Sequence, residues 1–139
     1  LAVELDRLRR EADFVLVDTP PHAETDAKVA VRSADLVLVP CQPSPPDIWA
    51  SRATFDLATK DRRDAALVLN RVPPRGRSVE EAQAALARAG WPVLRAQLGN
   101  RQSFVASFGR GQGVVESEPK GAAAEEVREL VAEVLARLA

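Results

Sequence analysis

Polar side chains that could bind a ligand follow three apolar runs of the sequence, at points where we expect β-strands to end. The first run is followed by the carboxylate of Asp18 and the hydroxyl of Thr19. The second is followed by the thiol of Cys41 and the amide of Gln42, and the third by the amide of Asn70 and the guanidinium of Arg71. In open parallel sheets, ligands bind at the carboxyl ends of the strands. Asp18 would there hold a metal ion or face a phosphate, although an apolar run that ends in Asp and Pro more often marks a turn.

The elements that must position these groups alternate along the chain. Short apolar runs predict strands at residues 14–18, 34–40, 65–70 and 91–94. Apolar spacings of three and four residues predict helices at residues 1–12, 24–33, 47–60, 78–89, 101–109 and 121–138. Strands that alternate with helices are typical of a parallel sheet covered by helices. We therefore predict a single α/β domain over residues 1–139, with no internal repeat and no domain boundary.

Helix-end signals refine this pattern. Asp47 is predicted as the N-cap of the third helix, and Ser78 with Glu81 has the spacing of a capping box. Gly90 is predicted at the C′ position that ends the same helix. Before Asp47, three prolines within residues 41–47 predict a stiff, extended loop.

Several catalytic and cofactor patterns are absent from the sequence. It contains no G-x-x-x-x-G-K-S/T phosphate loop and no G-x-G-x-x-G. The glycine-rich stretch 109–113 follows a predicted helix, which favours a surface loop. His22 and Cys41 are the single histidine and the single cysteine, and their spacing is not that of a zinc site. A Cys/His nucleophile is equally unsupported, because nothing marks a third group that would orient the pair.

Composition excludes some classes of protein. The chain is 46% hydrophobic and 28% charged with a net charge of −1, so it has no overall attraction to nucleic acid or membranes. No apolar run approaches the roughly 18 residues that a membrane span needs. One cysteine cannot form an internal disulfide, which fits a reducing cytoplasm. The sequence contains no methionine and begins with Leu1, so we expect an N-terminally incomplete domain.

Five segments in a fixed order carry a resemblance to a known family. They are FVLVDTPP at 14–21, SADLVLVP at 33–40, PSPPD at 43–47, NRQSF at 100–104, and GVVE with AAAEEV within 113–127. Together they resemble the ParA-type partition ATPases of the MinD/ParA superfamily, close to the ParF branch. The resemblance extends over nearly all 139 residues. It implies a three-layer, P-loop NTPase-like fold that lacks its first strands, equivalent to the C-terminal two-thirds of such a protein.

The resemblance implies nucleotide-binding roles for residues at two strand ends. Asp18 resembles the Walker B aspartate, which holds Mg²⁺. Thr19 and Pro20 resemble the adjoining segment, which senses the γ-phosphate of ATP. Asn70 occupies the position where relatives recognise the base, although a strand-end cap explains it equally well. Arg71 is expected beside the nucleotide.

The resemblance also implies partners. Ser44, Pro45 and Asp47 resemble the proline-rich contact of an ATP-dependent homodimer. Non-specific DNA binding would use exposed arginines, although each taken singly is more simply explained as solvated surface. The candidates are Arg75, Arg77, Arg101 and Arg110, with the loop 71–77 as the strongest group. A ParB-like protein is expected to stimulate hydrolysis, no membrane partner is expected, and the expected location is the nucleoid in the bacterial cytoplasm.

The family's Walker A loop, its two lysines and its Walker A′ aspartate have no counterpart in this sequence. Backbone N–H groups and lysines supply most of the phosphate binding in such a site. We therefore expect that the chain alone neither binds ATP tightly nor hydrolyses it. The implied function is an ATPase that positions plasmids, chromosomes or other cargo. The alternatives are a non-catalytic module with the ParA fold, and a MinD-like or amidoligase-type nucleotide-dependent relative.

Overall fold

Three strands form one parallel sheet in the spatial order β1, β2, β3. The computed structural model describes residues 2–19 and 24–139, and within them the strands are β1 (Leu36–Cys41), β2 (Asp64–Val72) and β3 (Val93–Gly99). β1 pairs with β2 in a continuous register that sets Cys41 opposite Leu69. The pairing of β2 with β3 has two register shifts and ends with Val72 opposite Gly99. The carboxyl ends of all three strands therefore lie along one edge of the sheet.

Helices cover both faces of this sheet. The described residues contain α1 (Ala2–Leu8), α2 (Glu24–Ser33), α3 (Pro45–Lys60), α4 (Ser78–Ala89), α5 (Gln102–Gly109), α6 (Val114–Ser117) and α7 (Ala122–Leu138). α3 packs against β1 and β2, whereas α7 packs against β3. This architecture confirms the predicted α/β fold, a parallel sheet flanked by helices. Within the described ranges, no helix has both the length and the apolar character needed to cross a membrane.

Two apolar clusters bury the two faces of β2. The larger cluster contains Leu67 and Leu69 together with side chains of α3 and α4. On the opposite face, Ala66 and Val68 pack with side chains of β3 and α7. Residues 65 to 69 are all buried. Burial on both faces explains why β2 has a continuous apolar sequence with no alternation of polar residues.

The predicted strand at 14–18 is wrong. Residues 14–19 have no regular secondary structure, and the side chains of Phe14 and Leu16 are 68% and 92% exposed. A strand needs a neighbour that completes its backbone hydrogen bonds, and no described strand pairs with this segment. The first helix is also shorter than predicted, because α1 ends at Leu8 and turn hydrogen bonds continue to Ala12.

Helix ends agree only in part with the predictions. Gly90 ends α4 as predicted, with a φ of 70° in the left-handed region that favours glycine. The predicted capping box at Ser78 is wrong, because the N-cap is Arg77 and its side chain makes no capping hydrogen bond. The short helix α6 lies after the predicted glycine-rich loop and was not predicted. Its Glu116 carboxylate accepts a hydrogen bond of 2.7 Å from the backbone N–H of Gly113.

Carboxylates attach α7 to the outer edge of β3. Glu133 accepts hydrogen bonds from the backbone N–H groups of Arg95 and Ala96, at 2.9 and 2.8 Å. Two helical turns earlier, Glu126 accepts a hydrogen bond of 3.0 Å from the backbone N–H of Gly99. An unpaired strand edge offers N–H groups to other chains. These two side chains instead bind three N–H groups of β3, a strand that pairs with no described strand other than β2.

Candidate functional site at the carboxyl edge of the sheet

The ends of the three strands lie next to one another at the carboxyl edge. Val72, the last residue of β2, accepts a hydrogen bond of 2.9 Å from the backbone N–H of Asn100, directly after β3. β1 ends beside the same region, because Cys41 pairs with Leu69. The structure therefore brings together the polar groups that follow the second and third apolar runs. Asp18 is not joined to them by any strand pairing among the described residues.

Asn70 and Arg71 lie in the last part of the central strand β2, where its pairing with β3 is irregular between Leu69 and Val72. The side-chain oxygen of Asn70 accepts a hydrogen bond of 2.9 Å from the backbone N–H of Arg71. Arg71 has a φ of 52°, a conformation that costs a non-glycine residue about 1–2 kcal/mol. In the described part of the chain, neither the side-chain nitrogen of Asn70 nor the exposed guanidinium of Arg71 has a hydrogen-bond acceptor. Both side chains can therefore donate hydrogen bonds to a ligand.

Ser44, Pro45 and Asp47 form the start of α3 instead of an extended loop. The N-cap is Ser44, so the prediction of Asp47 as N-cap is wrong. The Ser44 hydroxyl accepts a hydrogen bond from the backbone N–H of Asp47 at 3.4 Å and donates one to its carboxylate at 2.6 Å. Pro45 and Pro46 occupy the first turn, where a helix needs no backbone N–H. The predicted dimer contact is thus a capped helix start that follows β1.

Cys41, the last residue of β1, is a buried free thiol. Its sulfur donates a hydrogen bond of 3.2 Å to the carbonyl oxygen of Gln42. Burial raises the pKa of the Cys41 thiol, a hydrogen bond with Ser51 opposes the increase, and the charge of Asp47 adds to it. A thiol that stays protonated is a poor nucleophile and a poor metal ligand. Cys41 therefore contributes packing to this edge of the sheet.

Arg101 and Glu126 form an ion pair where β3 ends. The Nε and Nη2 atoms of Arg101 donate hydrogen bonds of 2.9 and 2.6 Å to Glu126 Oε1, and Oε2 accepts the bond from Gly99. Burial raises the pKa of Glu126, but the bonds from Arg101 and Gly99 outweigh it and hold the pKa below its usual value. The sequence does not indicate Glu126, because 25 residues separate it from Arg101 and no motif joins them.

The other candidate arginines lie in exposed loops. Arg75 and Arg77 are in the loop between β2 and α4, and Arg110 follows α5. None of their side chains forms an ion pair with another described residue. The loop after β2 begins next to the residue that precedes Arg101, because the backbone N–H of Asn100 donates to the carbonyl oxygen of Val72.

Asp18 and Thr19 are exposed, and neither forms a hydrogen bond or an ion pair with another described residue. Pro20 and His22 lie outside the described residues. Among the residues that are described, no group of three or more His, Cys, Asp or Glu could hold a metal ion. Mg²⁺, however, is usually bound by one or two carboxylates together with waters and substrate phosphates. The exposed Asp18 carboxylate has no described protein partner that would compete for such an ion.

A shallow groove of about 480 Å³ lies between α4 and β3. Leu86, Trp91 and Arg95 are among the residues that line it. Trp91 stacks on Phe55, with ring centroids 4.7 Å apart and an interplanar angle of 7°. None of the candidate site residues lines this groove, so it is separate from the carboxyl edge.

Comparison with known proteins finds relatives among ATPases. The family model described as ATPase MipZ matches residues 1–107 of this chain. The chain is also similar to Maintenance of carboxysome distribution protein A of Halothiobacillus neapolitanus. The two are 32% identical over 130 residues, which are 88% of this chain and 60% of that protein. The family match includes Asp18, β1 and β2 with the turn that follows it.

Two solved structures have a similar fold. The cell division ATPase MinD of Pyrococcus furiosus matches 97% of this chain with a TM-score of 0.81 and 22% identity. The MinD cell division protein of Aquifex aeolicus matches 96% with a TM-score of 0.76 and 21% identity. This similarity confirms the predicted P-loop NTPase-like fold. The chain spans 60% of the Halothiobacillus protein and 56% and 58% of the two MinD chains.

Proposed function

Because this chain belongs to the MipZ family of ATPases, within the ParA/MinD superfamily, we propose that it is part of a protein that hydrolyses ATP to position a cargo. The proposed cargo is a plasmid, a chromosome or a protein body, since the similar Halothiobacillus protein acts, by its name, in carboxysome distribution. The family match carries the proposal, because its residues 1–107 include Asp18, Ser44, Asn70 and Arg71. The proposed partners are a second copy, duplex DNA and a ParB-like stimulating protein.

ATP and Mg²⁺ are the proposed ligands of the carboxyl edge. Asp18 would hold the ion, and Thr19 and Pro20 would contact the γ-phosphate. Bound Mg²⁺ neutralises the charge of the phosphates during phosphoryl transfer. Asn70 and Arg71 would donate hydrogen bonds to the nucleotide, a role supported by the lack of a protein acceptor for either side chain within the described ranges.

Substitution of Asp18 tests the nucleotide site. In the gene product that carries this chain, we expect Asp18→Asn to reduce Mg²⁺-dependent ATP hydrolysis to background, because the charge that opposes the cation is lost. Asp13→Asn removes another exposed carboxylate of the same segment and should leave the rate unchanged. Equal hydrolysis by the wild-type protein and Asp18→Asn would contradict the proposed role. Residues 1–139 alone should show no tight Mg-ATP binding by isothermal titration, since the sequence contains no phosphate loop.

Self-association is proposed through the start of α3, at Ser44, Pro45 and Asp47. The cap hydrogen bonds hold this turn in one conformation, and Pro45 is exposed. We expect Pro45→Glu to prevent ATP-dependent dimerisation, measured by light scattering, because a buried unpaired charge is strongly unfavourable at an interface. A Glu in the first helical turn is compatible with the helix dipole, so the fold should persist. Ala53→Glu, on an exposed position of the same helix, should still dimerise.

Non-specific DNA binding is proposed through Arg75 and Arg77, with Arg101 and Arg110 as further contacts. We expect Arg75→Glu with Arg77→Glu to abolish retention of duplex DNA at low salt, because phosphate contacts supply the affinity. Lys60→Glu with Arg63→Glu makes the same change in net charge at the opposite edge of the sheet. This control should retain most of the binding. Equal losses in the two double variants would indicate an effect of net charge and would overturn the assignment.

A further inference from the structure

Arg101 differs from the other candidate DNA-binding arginines because a carboxylate neutralises it. Two of its guanidinium nitrogens donate to Glu126, at 2.9 and 2.6 Å. Among the described residues, Arg75, Arg77 and Arg110 have no such partner. One of four candidate positive charges is therefore cancelled within the chain itself.

The pair lies beside the basic loop that follows β2. The backbone N–H of Asn100 donates to the carbonyl oxygen of Val72 at 2.9 Å, so the residue before Arg101 is bound to the residue just before the loop 73–77. A polyanion that contacts the start of this loop would therefore pass close to Arg101. The guanidinium can reach it, because the Arg101 side chain is 42% exposed whereas that of Glu126 is 18% exposed.

Glu126 can release Arg101 without losing all of its hydrogen bonds. Its second oxygen, Oε2, accepts the backbone N–H of Gly99 at 3.0 Å, and this bond does not involve Arg101. The carboxylate therefore remains partly satisfied when the guanidinium leaves, which lowers the cost of the exchange. Because the pKa of Glu126 is held below its usual value, the carboxylate is ionised at neutral pH, and a competing anion, not a proton, must cause the release.

We propose that Glu126 is an autoinhibitory counter-ion of Arg101. The Glu126 carboxylate remains bound to the Arg101 guanidinium until a phosphate of duplex DNA displaces it. The proposal rests on the proposed DNA binding and extends it, since it names the residue that limits the affinity. The DNA phosphate gains a contact with Arg101 only after the ion pair between Arg101 and Glu126 is broken. The wild-type chain consequently binds DNA more weakly, and with a smaller salt dependence, than its exposed arginines alone would allow.

Glu126→Gln tests the proposal, because glutamine keeps an oxygen that can accept the Gly99 N–H but carries no charge. The matched control is Glu125→Gln, which removes the carboxylate of the neighbouring exposed pair with Arg128. In the gene product that carries this chain, with Mg-ATP and a short mixed-sequence duplex, we expect Glu126→Gln to bind about two- to fivefold more tightly than the control. The slope of log K against log salt should be steeper by about 0.9, equivalent to one further phosphate contact.

Arg101→Gln completes a double-mutant cycle. Its loss of affinity should be larger in the Glu126→Gln background than in the wild-type background, because the guanidinium is free only in the former. Equal affinities of Glu126→Gln and Glu125→Gln would overturn the inference, and the proposed DNA binding would stand if Arg75→Glu with Arg77→Glu still abolished retention. No retention of DNA by the wild-type protein and all variants would overturn both.

A measurement on the wild-type protein does not depend on the stability of any variant. The side-chain Nε–H resonance of Arg101 should shift when duplex DNA is added and should not shift with ATP alone. A shift caused by ATP alone would identify a nucleotide phosphate as the displacing anion and would contradict the assignment to DNA. An unchanged resonance at saturating DNA would contradict the exchange itself.

Discussion

Two apolar runs of similar composition have different structures in this chain. Residues 65–69 form the buried part of β2, with a strand on each side and a cluster of apolar side chains on each face. Residues 14–17 are equally apolar, yet they are irregular and mostly exposed. The difference shows that a strand is determined by the partners that complete its hydrogen bonds and cover its faces, and not by its composition alone.

β3 is an intermediate case. It has one described strand neighbour, β2, and three of its N–H groups are bound by Glu126 and Glu133 of α7. Side-chain carboxylates therefore replace a strand at this edge. The functional consequence is that the candidate groups from Asn70 to Arg101 are held by a formed sheet edge, whereas Asp18 lies in a segment that no described element holds.

Truncation of a leucine in each run should give the largest contrast. Leu67→Ala removes a side chain with no exposed surface and should lower the free energy of unfolding of residues 1–139 by about 2–5 kcal/mol. Leu16→Ala changes a side chain that is 92% exposed and should change the free energy of unfolding by less than about 0.5 kcal/mol. Urea denaturation measures both. A large loss of stability in Leu16→Ala would mean that residues 14–17 are packed against the sheet.

Removal of the carboxylate that binds the edge of β3 should have the next largest effect. Glu133→Ala leaves the backbone N–H groups of Arg95 and Ala96 without their acceptor and should cost about 1–3 kcal/mol of unfolding free energy. Glu129→Ala, an exposed residue one turn earlier, is the control and should be neutral within about 0.5 kcal/mol. Equal stabilities of the two variants would show that β3 does not depend on these bonds.

The cap of α3 should contribute a smaller amount. Ser44→Ala removes the hydroxyl that accepts the N–H of Asp47 and should cost about 1 kcal/mol of unfolding free energy. Ser78→Ala should be nearly neutral, because Ser78 is not the N-cap of α4. Thermal unfolding of both variants distinguishes the two positions. A larger loss of stability in Ser78→Ala than in Ser44→Ala would support the capping box predicted at Ser78.

A modest pH dependence should accompany the carboxylates of α7. Burial raises the pKa of Glu133, but its hydrogen bonds from the backbone of Ala96 and Arg95 outweigh burial and hold the pKa below its usual value. A lowered pKa in the folded state contributes stability that is present above the unfolded pKa and is lost as the pH falls through the folded pKa. Wild-type stability should therefore decrease below about pH 4.5 more steeply than that of Glu133→Gln. Identical pH profiles would contradict this contribution.

Local patterns in the sequence predicted the parts of the fold that depend on local physics. β1, β2 and α7 follow from continuous apolar runs and helical spacing, and Gly90 from its tolerance of a positive φ. The cap of α3 was assigned to Asp47, although two prolines that suit a first helical turn already indicate Ser44, the residue before them.

Features that depend on distant contacts could not be predicted. Glu126 acts on Arg101 and Gly99 across at least 25 residues, and no local pattern encodes that distance. Residues 14–18 were misassigned for the same reason, because an apolar run does not show whether a neighbouring strand will pair with it. At the candidate site, the sequence indicated Asn70 and Arg71 but not the hydrogen bond that ties one to the other.

Amide hydrogen exchange of residues 1–139 is the most direct test of the central claim. That claim is that neighbouring strands and packed side chains, and not apolar composition, determine which part of the candidate site is folded. We expect the amides of residues 14–18 to exchange at nearly unprotected rates, because they have no described hydrogen-bond acceptor. The amides of residues 66–69 and that of Asn100 should be strongly protected. Protection of residues 14–18 equal to that of β2 would contradict the account.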